Sequence, residues 1–311
     1  MILVLSEKAK AYEAVLATEL GDKHRVVYCR SVSELSASQC NAVEVVLADP
    51  ALIASHFAQL PNVKWVQSTF AGVDAIIKQG LPHGVILTNI RGVFGQAMAE
   101  YVFAQLISLE RHLPSLHRQQ NSKQWQPLEY KTLAGRRLLL LGTGSIAQSI
   151  AGIAKAFAME VEAVSRSGQA KAEFDAVYPV AKLNERLNQA NYVVSVLPST
   201  NDTQHLIAAP QFKAMLADAV LVNVGRGAVV DEVALLDALN TGQLRHAVLD
   251  VFEQEPLPQD SALWSHPKVT LTPHCAAVSF PHEIAGVFIH NLNNWLSGKA
   301  LNYVVDVQAG Y

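Results

Sequence analysis

Short β-branched runs alternate with helical stretches along the first ninety residues. Residues 2–5, 25–29, 43–48, 63–67 and 85–88 predict strands, and residues 7–20 and 51–60 predict helices between them. Alternation of this kind predicts a mostly parallel sheet covered on both faces. From Gln96 to about Gln120 the pattern lengthens, with Met98, Val102, Leu106 and Leu109 at helical spacing and Pro114 expected to kink or interrupt the helix. Residues 121–136 are polar and irregular, so the long helix is expected to bridge two domains. A second alternating series follows. Its six strands are predicted at 138–141, 161–164, 192–196, 219–224, 247–251 and 269–271, with helices at 145–157, 210–216 and 232–239. A last amphipathic helix, about 282–296, ends at Gly298. The expected fold class is α/β, with two doubly wound parallel-sheet domains.

Composition supports two domains. The chain has 311 residues, half of them apolar, and a single core grows poorly beyond ~250–300 residues. The net charge is −3. The nearest approach to a basic cluster is Lys131, Arg136 and Arg137 on a solvated loop, so nucleic acid is excluded as a partner. Cys29, Cys40 and Cys275 are odd in number and scattered, which is no disulfide framework and points to a reducing compartment. No cysteine or histidine spacing suggests a metal site. No apolar run approaches the ~18 residues of a membrane span, and the N-terminal run is too short for a signal-peptide core. A soluble cytoplasmic protein with no membrane partner is expected.

The sharpest local signal is residues 138–147, Leu-Leu-Leu-Leu-Gly-Thr-Gly-Ser-Ile-Ala. A buried strand enters Gly142-x-Gly144-x-x-Ala147 and continues into a helix. Gly142 permits the tight turn, Gly144 lets backbone approach a pyrophosphate, and Ala147 allows close helix–sheet packing. Gly142, Thr143, Gly144, Ser145 and Ile146 are therefore candidate dinucleotide contacts, with the helix N-terminus offering N–H groups to phosphate. Standing alone, such a turn is more often merely structural. Here it opens a six-strand series, which makes this domain a Rossmann-type dinucleotide-binding domain. An NAD enzyme usually carries an acid about 20 residues further on for the ribose diol. This chain has Ser165-Arg166-Ser167 there. A cation flanked by two hydroxyls suits a 2′-phosphate, so NADP(H) is favoured and NAD(H) is the alternative.

Three later strand ends carry chemistry. Asn223-Val-Gly-Arg226-Gly follows one, Asp250-Val-Phe-Glu-Gln-Glu255-Pro the next, and Thr272-Pro-His274 the last. In a doubly wound sheet these ends line one crevice. Reducing a keto acid needs a hydride at C2 and a proton on its oxygen. His274 suits the proton donor, Glu255 its partner, and Arg226 the grip on the substrate carboxylate. Each residue alone has an ordinary explanation as a loop or turn residue; their joint placement favours catalysis.

With the Gly142 turn, residues 223–227, residues 249–257 (Leu-Asp-Val-Phe-Glu-Gln-Glu-Pro-Leu) and Thr272-Pro-His274 in order, the chain resembles the D-isomer-specific 2-hydroxyacid dehydrogenases over nearly its whole length. The resemblance implies that Arg226 binds substrate, that His274 is the acid/base with Glu255 as partner, and that Asp250 meets the nicotinamide carboxamide. It also places Leu197, Pro198, Thr203, Val224 and Gly225 on the nucleotide. Backbone N–H groups at Ala71 and Gly72, within Ser68-Thr-Phe-Ala-Gly-Val-Asp74, would hold the substrate carboxylate, alongside Arg226 and His274. Asp74 can cap the following helix in either case. Ser165-Arg166-Ser167 and Arg91-Gly-Val-Phe-Gly-Gln96 look most like the NADP-preferring glyoxylate/hydroxypyruvate reductases of that family. Residues 1–95 with 284–311 would form the substrate domain and residues 96–283 the cofactor domain, closing on a crevice by hinge motion. A homodimer through the long helix and the following loop is the family expectation. Departures are Ala147 at the third glycine, the missing ribose acid, and Cys275-Ala-Ala-Val where many members have Gly-Gly. Formate dehydrogenases carry an amide where this chain has Glu255. Two rival functions fit the same residues: a dehydrogenase for a larger keto acid, with Phe70, Trp264 or Phe280 lining its pocket, and a non-catalytic NADP(H)-sensing interaction protein.

Overall fold

The computed structural model describes residues 1–310. The chain divides into two compact units: Met1–Val93 together with the segment from Ser279 onward, and Phe94–Val278.

The first unit holds β1 (Ile2–Leu5), α1 (Ala9–Leu20), β2 (Val26–Cys29), α2 (Ala37–Ala42), β3 (Val45–Ala48), α3 (Pro50–Ile53), β4 (Trp65–Ser68), α4 (Asp74–Gln79) and β5 (Ile86–Thr88). The strands form one parallel sheet in the order β2-β1-β3-β4-β5, with Leu3 in register with Val27 and Val46. This is one of the two common doubly wound orders. β1, β3 and β4 are buried at every position, as continuously apolar central strands must be. The helix expected over 51–60 is only α3 followed by an isolated 3-10 turn. The His56 ring Nδ1 donates to the Leu52 carbonyl at 2.9 Å, taking up a group that a continuing helix would have used.

The second unit opens with α5 (Gly95–Glu110) and α6 (Leu113–Asn121). The helical stretch expected from Gln96, with an interruption at Pro114, is thus two helices, divided just before that proline. His112 breaks it in the left-handed conformation at φ 54°, and Pro114 sits in the first turn of α6, where its missing N–H costs nothing. The sheet is built from β6 (Arg137–Leu141), α7 (Ser145–Ala156), β7 (Glu160–Ser165), β8 (Ala176–Pro179), α8 (Leu183–Leu187), β9 (Tyr192–Ser195), α9 (Ala209–Ala214), β10 (Val220–Asn223), α10 (Glu232–Asn240), β11 (His246–Leu249) and β12 (Val269–Leu271). Seven parallel strands lie in the order β12-β11-β10-β9-β6-β7-β8, one more than the sequence pattern suggested. The additional strand is β8. It is half-exposed, pairs only with β7 and ends in Pro179, a composition tolerated only at a sheet edge and easily taken for loop. The order reverses between β6 and β9, so a switch point opens at their carboxyl ends.

The chain returns to the first unit through α11 (Pro281–Leu296), which packs on α1 and lays Phe288 and Trp295 against Trp65 of β4, ring centroids 5.5 and 5.8 Å apart. Among the described residues no helix is long and apolar enough to cross a membrane.

Candidate active site

The glycine turn lies at the switch point. Gly142 follows β6 at φ 110°, a conformation closed to most side chains, and its N–H donates to the Val164 carbonyl of β7 at 2.9 Å. A Cβ there would stand 3.2 Å from Val196 beyond β9, so the two arms of the switch point touch at this glycine. Gly144 is different. A Cβ on it would meet nothing within 4 Å, so its backbone faces open space at the head of α7. No side chain caps α7, and Ser145 and Ile146 begin its first turn with N–H groups directed outward along the axis. A bare glycine face and an uncapped twelve-residue helix start fit a dinucleotide pyrophosphate.

At the end of β7, Ser165 Oγ accepts the Gly168 N–H at 3.1 Å and Ser167 Oγ accepts the Gln169 N–H at 3.2 Å. Both hydroxyls are thereby oriented while each keeps its own proton to donate. The loop is locked further by Gly168, whose Cβ would clash with Pro179 of β8 at 2.7 Å. Arg166 stands between the two serines. Lys171 closes the same loop onto the turn, its Nζ donating to the Thr143 carbonyl at 2.6 Å. Its offset of six residues from Ser165 gave no sequence signal.

The loop after β9 is tightly wound. Thr203 Oγ donates to the Pro198 carbonyl at 2.7 Å and accepts the Thr200 N–H at 2.8 Å. Leu197 packs against one core cluster, Val224 after β10 is buried in another, and Gly225 lies so close to the Leu197 backbone that a Cβ would fall 2.6 Å from its carbonyl oxygen.

The three chemical residues stand at neighbouring strand ends, since β10, β11 and β12 are adjacent in the sheet. Arg226 lies in a turn set by Asn223, whose Nδ2 donates to the Arg226 carbonyl at 2.9 Å. Its Nη1 donates to the Gly225 carbonyl at 2.8 Å. Gly227 next to it packs so closely on the Phe252 peptide that a Cβ would fall 1.8 Å from its carbonyl carbon. The turn bearing Arg226 is therefore keyed directly onto the loop bearing Glu255. Glu255 Oε1 accepts the Phe252 N–H at 3.0 Å, and its Oε2 lies 2.7 Å from His274 Nδ1. A carboxylate only accepts, so Nδ1 carries the hydrogen and Nε2 is the atom left to hold or release a proton. The Glu255 bond raises the His274 pKa; burial and the Arg226 charge oppose it, and the charges of Glu255 and Asp250 add to the rise. For Glu255, burial pushes the pKa upward but is outweighed by His274 and the Phe252 N–H, so the carboxyl stays below its usual range.

His274 is held in the left-handed region at φ 49°. For a non-glycine residue that costs about 1–2 kcal/mol and persists only where the surroundings impose it. Asp250 does so. The His274 N–H donates to the Asp250 carbonyl at 2.9 Å, and the carboxylate accepts the N–H groups of Cys275 and Ala276 at 2.8 and 2.9 Å. Asp250 also accepts the Thr272 hydroxyl at 2.6 Å, and since Thr272 thereby donates, the Tyr101 hydroxyl 2.6 Å away must donate to Thr272. Burial raises the Tyr101 pKa to about 12, so the phenol stays protonated. Tyr101 and Thr272 complete the support of the His274 turn. Neither carried a signal in the sequence, because a tyrosine on an amphipathic helix and a threonine at a strand end are ordinary.

In the first unit, Ala71 and Gly72 follow β4 in a turn fixed by Asn89, whose Nδ2 donates to the Ala71 carbonyl at 2.8 Å. Among the described residues no set of His, Cys, Asp and Glu gathers as metal ligands.

Residues 103–276 match the family model described as D-isomer specific 2-hydroxyacid dehydrogenase, NAD binding domain. The glyoxylate/hydroxypyruvate reductase A of Yersinia enterocolitica is 34% identical over 260 residues, 80% of this chain and 82% of that protein. The whole chain superposes on a D-isomer specific 2-hydroxyacid dehydrogenase family protein of Aeromonas salmonicida with a TM-score of 0.94 at 43% identity, covering 98% of both chains. It also superposes on the NADPH-dependent glyoxylate/hydroxypyruvate reductase of Sinorhizobium meliloti, solved in complex with NADP and sulfate, with a TM-score of 0.88 at 28% identity over 100% of this chain and 99% of that one. A switch-point glycine turn, a seven-stranded parallel sheet and this agreement along nearly the full length lead to one assignment: the chain belongs to the D-isomer specific 2-hydroxyacid dehydrogenase family, as a nicotinamide-dinucleotide-dependent oxidoreductase acting on CH–OH donors.

Proposed function

We propose that the protein reduces glyoxylate or hydroxypyruvate to the D-2-hydroxy acid with NADPH, and that the observation carrying the chemistry is the His274–Glu255 pair beside Arg226. The bound dinucleotide supplies a hydride to the keto carbon. Protonated His274 releases its Nε2 proton to the substrate oxygen as negative charge builds there, and Glu255 steadies the resulting ring. Arg226 holds the substrate carboxylate and polarises the carbonyl. The N–H groups of Ala71 and Gly72 serve as further carboxylate donors, which makes the first unit the substrate domain and the second the cofactor domain. The asymmetry between Glu255 and an uncharged residue at that position matters for direction: a charged partner keeps His274 able to give up a proton near neutrality.

The dinucleotide is held by the Gly142–Ile146 segment, with Leu197, Pro198, Thr203, Val224 and Gly225 beside it. One lone pair of the Asp250 carboxylate remains for the carboxamide, since three of about four are taken. Arg166 with the Ser165 and Ser167 hydroxyls receives the 2′-phosphate. Arg166→Ala weakens NADPH binding by at least tenfold and leaves NADH within a factor of about two, because NADH has no 2′-phosphate for the cation to meet. Fluorescence titration with both cofactors checks this, and equal losses would remove the 2′-phosphate role.

The test of the reaction is a steady-state panel of glyoxylate, hydroxypyruvate, pyruvate and phenylpyruvate with NADPH and with NADH. Turnover fastest with the first two and NADPH supports the proposal. Preference for phenylpyruvate would favour the larger-acid reading, and tight NADPH binding without any turnover would leave a sensor.

A pH dependence follows from the same pair. Reduction needs protonated His274, so kcat/KM for reduction holds below the His274 pKa and falls above it. Glu255 is the largest cause raising that pKa. Glu255→Gln therefore moves the descending limb of the reduction profile, and the ascending limb of the oxidation profile, to lower pH. A limb that stays in place in this variant means that another group sets the profile.

The assembly is a homodimer in this proposal. Supporting it, Trp125 is 99% exposed, and Leu113, Leu116 and Tyr130 are also exposed on α6 and the segment after it. The three unpaired cysteines support a cytoplasmic location.

A further inference from the structure

We propose that Arg91 is a specificity-determining residue that selects 2-keto acids whose third carbon bears a hydrogen-bond acceptor, a hydroxyl or a carboxylate, over those bearing a methyl group. The inference rests on Ala71 and Gly72 as carboxylate donors in the proposed function. Within the first unit, Asn89 links the two sites. It is 4% exposed, and both ends of its amide are used. Nδ2 donates to the Ala71 carbonyl at 2.8 Å, and Oδ1 accepts from Arg91 Nε at 3.3 Å. Its backbone N–H donates to the Tyr303 carbonyl at 3.1 Å, and the next N–H, of Ile90, donates to the Phe70 carbonyl at 3.2 Å. Two carbonyls of the 70–71 turn are therefore tied to residues 89 and 90, immediately before Arg91. Two hydrogen bonds and the width of one amide place the guanidinium within about 9 Å of the Ala71 carbonyl, the span of a small acid and its contacts.

Arg91 is exposed, and among the described residues its only hydrogen bond uses Nε. Nη1 and Nη2 keep their donors. A guanidinium fixed at Nε is a directed donor rather than a loose charge, and its planar fork matches an oxygen acceptor. The Asn89 backbone carbonyl is taken by Gln67 Nε2 at 3.0 Å, so Oδ1 is the acceptor through which this buried side chain orients Arg91. A substrate anchored by its carboxylate at Ala71 and Gly72 extends its remaining carbons past this fork. A C3 hydroxyl or carboxylate can accept from it. A C3 methyl offers the fork no acceptor and displaces water from it, which is how hydrogen-bonding sites reject analogues lacking the polar group.

The deciding comparison uses substrates that differ at C3: hydroxypyruvate carries a hydroxyl, pyruvate a methyl, and glyoxylate has no third carbon. The wild-type enzyme is expected to prefer hydroxypyruvate to pyruvate strongly. In Arg91→Met, kcat/KM for hydroxypyruvate falls at least about tenfold further than kcat/KM for glyoxylate, and the hydroxypyruvate-to-pyruvate ratio collapses. Arg91→Lys, which keeps the charge but loses the fork, recovers part of the ratio. Melting temperature and NADPH affinity are measured on both variants to establish that each is folded and loaded. Equal losses on all three substrates would make Arg91 a general anion attractor and overturn the C3 role, as would an unchanged ratio. A wild-type enzyme that turns over pyruvate or a larger keto acid but neither glyoxylate nor hydroxypyruvate overturns the proposed function itself, and this inference with it.

Discussion

Replacing His274 with alanine lowers kcat for keto-acid reduction by about 10²–10⁴-fold, the usual contribution of a positioned general acid, while NADPH still binds. The prediction is specific because the ring has one free nitrogen. Nδ1 is committed to Glu255 at 2.7 Å, so proton transfer falls to Nε2, and among the described residues no other titratable side chain hydrogen-bonds Glu255. Alanine also has to occupy a left-handed backbone at φ 49°, which would confuse loss of the proton with loss of the turn. His274→Asn separates the two, since asparagine tolerates that conformation far better. Both variants losing turnover alike assigns the defect to the missing acid. Near-full activity in the asparagine variant, checked by stopped-flow single turnover, would remove His274 from the chemistry.

The parts legible in the sequence were those in which one residue type meets one backbone demand. The Gly142 turn between a run of four leucines and a helix, and the strand-end positions of Arg226, Glu255 and His274, are local patterns. A parallel sheet converts the second kind of pattern into spatial neighbours without further information. What stayed hidden was non-local. β8 is an edge strand whose only partner is β7, and Ala-Val-Tyr-Pro has neither alternation nor length to announce it. The division of the long helix lies at His112, because the left-handed residue precedes the proline that the pattern made conspicuous. Asp250 was legible only through the family resemblance. That its carboxylate also gathers Thr272, Cys275 and Ala276, with Tyr101 behind Thr272, depends on pairings up to 171 residues apart. The same holds for the closeness of Gly227 to Phe252, which joins two motifs that the sequence shows only as separate strings.

Arg226→Lys keeps the charge and still lowers kcat/KM by about 10²–10³-fold, on the scale of losing one preorganised donor to a developing oxyanion. Charge is only part of what the position supplies. Arg226 Nη1 is anchored on the Gly225 carbonyl at 2.8 Å, and the turn beneath is fixed by Asn223 and by the contact of Gly227 with the Phe252 peptide. A guanidinium so held presents donors in a fixed plane, suited to a carboxylate together with the adjoining carbonyl. A lysine ammonium is a flexible point charge and cannot keep both contacts. Its charge would still oppose the rise in the His274 pKa as Arg226 does, so the pH profile of Arg226→Lys should stay near that of the wild type. Arg226→Ala loses both, and its reduction limb moves to higher pH because the opposing charge is gone. Added guanidinium restores part of the activity of Arg226→Ala if the missing group acts by direct contact with substrate. Absence of any rescue, together with a kcat/KM for Arg226→Lys equal to that of the wild type, would reduce Arg226 to a source of field and leave the carboxylate to the N–H groups of Ala71 and Gly72.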